Sequence, residues 1–92
     1  MVTAIVMIRA DRTSIPETAQ ALADIEGVAE VYSISGDYDI VAVVRVKEYD
    51  QLASVVTEHL LKMPAILGTQ THMAFQTYSK HDLESVFTIG EE

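Results

Sequence analysis

Gly36-Asp37-Tyr38-Asp39-Ile40-Val41-Ala42-Val43-Val44-Arg45-Val46 lies at the middle of the chain, and its reading decides the fold. The first four residues are turn formers around one phenol ring. The next seven are apolar and mostly β-branched, with Arg45 the single charge. A run of that kind is a strand covered on both faces. Val2 to Arg9 has the same character and predicts a second such strand. Between them, Ser14, Pro16 and Glu17 supply a helix start with an expected capping box. Ile15, Ala19, Leu22 and Ala23 then form an apolar stripe, and Gly27 stops the helix. Val28 to Ser35 is a more polar strand, with Val28, Tyr32 and Ile34 on one parity and Glu30 interrupting it. Beyond Val46, helix-start residues lead into a stripe of Leu52, Val55, Val56, Leu60 and Met63, which Pro64 ends. Ala65 to Tyr78 contains a fourth strand with Leu67, Thr69, Thr71, Met73 and Phe75 on one parity.

The central turn thus divides the chain into two halves, each spelling βαβ. The expected fold is α+β, a ferredoxin-like βαββαβ (split βαβ) sandwich with a four-stranded antiparallel sheet. Right-handed crossovers put both helices on one face and make the first and third strands central. Those are the two most continuously apolar strands, and neither parity of them is polar. The sheet face without helices therefore carries an apolar patch larger than a soluble monomer tolerates. A second copy of the chain is the expected cover.

The 92 residues predict one domain, expected as residues 1–79 with a C-terminal tail at 80–92 that forms a short helical turn around Asp82 to Phe87. Net charge is −8, from 14 acidic against 6 basic residues. The basic residues are scattered, which argues against direct nucleic-acid contact and against a polybasic membrane contact. The apolar start stops at Arg9, too short for a signal segment, and no run approaches a membrane span. With no Cys, a reducing, cytoplasmic location is expected. His59, His72 and His81 match no metal-ligand spacing, so no metal and no cofactor is expected. Asp37 with Asp39, or Glu48 with Asp50, could pair as acid and base, but no nucleophile or phosphate loop stands with them.

Two motifs stand out. In Gly36-Asp37-Tyr38-Asp39 a plain hairpin turn accounts for the glycine and one aspartate; the second aspartate and the tyrosine are left over. In Thr69-Gln70-Thr71-His72 the default reading is a polar edge strand that discourages aggregation. The other reading is a row of hydroxyl and amide groups that line a cleft and hold a carboxylate.

Taken together, Gly27 to Ile40 resembles the effector-binding (RAM) domain of the Lrp/AsnC regulators. The shared features are a strand leading to Gly-Asp-Tyr-Asp and then an apolar strand, with Ser35 where the family has Thr. Thr69-Gln70-Thr71 matches the family's Thr-x-Thr. Leu61-Lys62-Met63-Pro64 matches its helix end, with Ala65-Ile66 in place of Gly-Val. The resemblance spans about Val2 to Tyr78. Family regulators begin with a helix-turn-helix domain, and this sequence starts at the first strand, so a stand-alone version is expected. The resemblance implies a homodimer through the sheets, assembling into an octamer or decamer, with an amino acid or similar metabolite bound in clefts between dimers. It places Gly36, Asp37, Tyr38 and Asp39 on one lip of the cleft, with Thr69 and Thr71 contributing from the fourth strand and Asp39 accepting from the ammonium group. It also implies transcriptional or metabolic regulation without direct DNA contact, and co-assembly with full-length regulators. The alternative is a dimeric α/β-barrel enzyme, such as a small cofactor-free monooxygenase or isomerase, with His59 as its internal histidine.

Overall fold

A computed structural model describes residues 1–78. The expected tail at 80–92, its helical turn and His81 lie outside the described residues. Strand β1 is Val2–Ala10, followed by a 3-10 turn at Arg12–Ser14 and helix α1 at Ile15–Ala23. Strands β2 (Val28–Ser33) and β3 (Ile40–Val46) form a hairpin. Helix α2 begins at Tyr49–Ser54 and continues through a π turn at Val55–His59 and a 3-10 turn at Leu60–Lys62. Strand β4 is Ile66–Ala74. The sheet order is β2-β3-β1-β4 with every pair antiparallel. The two apolar strands are central, as their composition requires.

The helix-covered face takes one parity of each central strand. Ala4, Val6, Ile8 and Ala10 of β1 and Ile40, Ala42, Val44 and Val46 of β3 are buried there, under Leu22 of α1 and Leu52, Val55 and Leu60 of the second helix. The π turn explains how Val55 and Leu60, five residues apart, both face the sheet. A regular α-helix turns 3.6 residues per revolution and would swing one of them away. Here the Leu60 N–H reaches back to the carbonyls of Val55 and Val56.

Two local expectations are corrected. The capping box at Ser14 and Glu17 does not form, because the chain begins to coil one turn earlier. Asp11 caps that turn, its Oδ1 accepting from the Thr13 N–H at 2.9 Å and from the Thr13 hydroxyl at 2.7 Å. Ser14 makes no side-chain cap, and its carbonyl accepts from the Thr18 hydroxyl at 2.7 Å. A capping box does form at α2, where the Gln51 Oε1 accepts from the N–H of Lys47 at 2.9 Å and of Glu48 at 3.0 Å. The second correction concerns β2. A bulge between Val28 and Glu30 inserts one residue and reverses the parity. Val28 and Val31 turn toward the helices, while Glu30 and Tyr32 stand opposite Val43 and Val41 on the other face.

That other face has no helix. Its centre is Ile5 and Met7 of β1 with Val41 and Val43 of β3, and Ile5 is 39% exposed. Around them stand polar groups: Glu30, Tyr32, Arg45, Gln70, His72 and Arg9. An apolar centre inside a polar rim is how a protein–protein contact surface is composed.

Candidate functional site

The Gly36–Asp39 turn is held at one end of the sheet by backbone bonds. Ile34 N–H donates to the Asp39 carbonyl at 2.9 Å, and Asp39 N–H donates to the Ile8 carbonyl at 2.9 Å. Gly36 has φ +106°, a conformation other residues adopt only with strain. The space over it is open, since nothing lies within 4 Å of where a side chain would begin. Asp37 projects from the exposed turn. Asp39 is drawn inward: its Oδ2 accepts from the Ala10 N–H at 3.0 Å, and its Oδ1 lies 3.5 Å from Arg12 Nε. Its carboxylate therefore ties off the end of β1.

Tyr38 takes a different direction. Its hydroxyl donates to the Gln70 Oε1 on β4 at 2.7 Å. The Arg9 guanidinium carbon stands 5.9 Å from the centre of its ring, within cation–π range. Arg9 pairs with Gly68 across the β1–β4 ladder, and a side chain at Gly68 would begin 3.5 Å from the guanidinium. That is ordinary contact distance, so the guanidinium lies close over this residue. Gln70 belongs to the Thr69–His72 stretch whose hydroxyl and amide groups are expected to line a cleft, whereas the sequence did not point to Arg9. Arg9 shares the parity of the open face.

Thr69 and Thr71 pair with Ile8 and Val6, both buried under the helices, so their side chains share the helix-side face. The helices pack over β2, β3 and β1. Thr69 is half-buried and Thr71 is exposed at the uncovered β4 edge. Ile40, Ile8 and Thr69 form one row across three strands, which places Thr69 roughly 10 Å from the start of β3. The topology thus brings the turn and the threonines to one end of the sheet. Within one chain they straddle the β4 edge: Tyr38, Gln70 and Arg9 on the open face, Thr69 and Thr71 on the other. A cleft using both sets must wrap that edge.

Two further features lie elsewhere. A cleft of ≈ 530 Å³ opens at the far end of β3, with Glu26, Lys47, Gln51 and His59 on its walls. His59 is exposed at this surface, and the space between sheet and helices is filled by the apolar core. Among the described residues no cluster of His, Asp or Glu could hold a metal ion.

On the open face, Tyr32 donates its hydroxyl to the Glu30 carboxylate, and Arg45 Nη1 approaches Glu30 at 3.5 Å. The tyrosine bond, with a smaller contribution from Arg45, holds the Glu30 carboxyl below its ordinary range against partial desolvation. The same carboxylate pushes the Tyr32 phenol up. A carboxyl depressed in the folded chain stabilises above its unfolded pKa, and that stabilisation is lost as pH falls through the folded value. A carbon-detected NMR titration is expected to give a Glu30 midpoint below that of an unstructured glutamate. Tyr32→Phe is expected to move it back up; an unchanged midpoint would show that the hydroxyl is not the cause.

A split-βαβ sheet with one greasy uncovered face and a polar turn-and-edge corner defines a small α+β binding module. The chain belongs to the Lrp/AsnC ligand binding domain family, whose sequence profile matches residues 3–83. It is 35% identical over 78 residues to an uncharacterised HTH-type transcriptional regulator of Pyrococcus furiosus, covering 82% of this chain and 52% of that protein. The chain spans about half the length of the curated relatives it matches. A solved protein of Thermus thermophilus is 40% identical, with TM-score 0.80, covering 87% of this chain and 100% of that one. A Neisseria meningitidis transcriptional regulator, solved as a complex with L-Met, shares the fold at TM-score 0.76 and 11% identity, covering 85% of this chain and 52% of that one. No helix among the described residues is long and apolar enough to cross a membrane.

Proposed function

We propose that the chain is an amino-acid-responsive effector module, which pairs with a second copy through its open sheet face and builds higher rings from those pairs. The observation that carries this is the placement of the Gly36–Asp39 turn. It stands at the rim of the apolar face, bonded to β4 through Tyr38 and Gln70, where a second subunit would close a cleft around the β4 edge. Family membership supports effector binding, and the complex of the Neisseria neighbour with L-Met supports amino acids as the ligand class. Gly36, Asp37, Tyr38 and Asp39 form one wall and Thr69 and Thr71 the other.

A site shared between subunits links occupancy to assembly, because the ligand favours the arrangement that binds it better. The module then acts in the cytoplasm on transcription or amino-acid metabolism through assembly, including mixed assembly with full-length regulators, and makes no DNA contact of its own. The test is calorimetry of the full chain against the twenty amino acids, with light scattering before and after addition. Binding by at least one, with a change in mass or its concentration dependence, is expected. No heat from any of them at millimolar concentration, in a protein that is folded, would overturn the amino-acid reading.

A further inference from the structure

The chain carries 14 acidic and 6 basic residues, so a guanidinium without a carboxylate partner is unusual here. Arg12 pairs with Asp39 and Arg45 with Glu30. Arg9 makes no ion pair among the described residues. It is exposed at the end of β1, laid across Gly68 and beside the Tyr38 ring, next to the amide of Gln70. A planar guanidinium held against an aromatic face is pre-organised, and its N–H fork matches a carboxylate. The turn's two carboxylates differ in the same way. Asp39 is committed to the Ala10 N–H and Arg12, whereas Asp37 is exposed and makes no bond among the described residues.

We propose that Arg9 anchors the α-carboxylate of the effector and that Asp37 accepts its ammonium group, Asp39 serving to hold the turn. This deepens the amino-acid reading and rests on it. Arg9 and Asp37 then select a zwitterion: a ligand lacking either charge leaves one of them unpaired. Tyr38 and Gln70 position Arg9 by closing the corner around it.

The probes are the amino acid that binds best in the panel above, its α-amide, which lacks the carboxylate, and the corresponding carboxylic acid without the amine. Each is titrated into the full chain, Arg9→Gln, Arg9→Lys and Asp37→Asn. The wild-type chain is expected to bind the amide and the deaminated acid at least about tenfold more weakly than the amino acid, the loss of one charge-assisted contact. Arg9→Gln is expected to lose about tenfold for the amino acid while binding the amide as wild type does. Arg9→Lys is expected to fall between, since it restores the charge without the fork. Asp37→Asn is expected to lose affinity for the amino acid and not for the deaminated acid. Thermal melts confirm that each variant is folded. Full affinity in a folded Arg9→Gln would overturn the role of Arg9 and leave the amino-acid reading standing; absence of binding by the wild-type chain would overturn both.

Discussion

If copies pair through the open sheet face as proposed, Ile5→Asp is expected to give a monomer that still has its secondary structure. Ile5 stands at the centre of the uncovered sheet face, opposite Val43 on one side and His72 on the other, with Met7 and Val41 beside it. In the single chain 39% of it reaches solvent, so the carboxylate is tolerated there. Against a second subunit the same carboxylate would be stripped of water with no partner. Burying an unpaired charge costs several kcal/mol, and about 4 kcal/mol is a thousandfold loss of affinity. Light scattering at micromolar concentration should give the single-chain mass, and far-ultraviolet circular dichroism should be retained, because the helix-side core does not include Ile5. The melting temperature should fall and stop depending on concentration. An Ile5→Asp chain with wild-type mass would mean that this face is not the contact between copies.

Leu22→Ala is expected to be the most damaging single truncation. Leu22 is fully buried and is the residue by which α1 enters the core against β3 and β2. Removing it leaves a void that α1, only nine residues long, can close only in part. Leu→Ala changes at such sites cost about 2–5 kcal/mol. Small domains hold roughly 5–15 kcal/mol in all, so urea unfolding should show a midpoint shifted by a large fraction with an unchanged slope. The contrast with Ile5→Asp separates the two faces: Leu22→Ala should lower stability at every protein concentration, whereas Ile5→Asp should act through assembly. A shift below 1 kcal/mol for Leu22→Ala would show that α1 does not seal the core.

Much of the fold was legible because it is written in short-range patterns. β-Branched runs marked β1 and β3, the stripe ending at Pro64 marked the second helix, and the turn at Gly36–Asp39 divided the halves. Failures came where a single residue shifted the count. The bulge at Val28/Glu30 turned Glu30 and Tyr32 to the open face, and the early turn capped by Asp11 displaced the expected box at Ser14 and Glu17. The candidate site was half legible. The turn residues, the threonines and Gln70 announced themselves as motifs, but Arg9 did not, since it is unremarkable in its own strand. Arg9 and Gln70 meet Tyr38 only through the β1–β4 and β1–β3 ladders, which join residues about 30 to 70 positions apart.

The sequence by itself determined the order of elements, which strands are central, and that both faces of those two strands are largely apolar. Those properties depend on neighbours two to four residues away along the chain. Only the tertiary structure decided which side of β4 each polar group occupies, that Asp39 is spent on the end of β1, and that Arg9 stands beside Tyr38. Strand register sets those relations, and register follows from bulges and long-range pairing that no local pattern records.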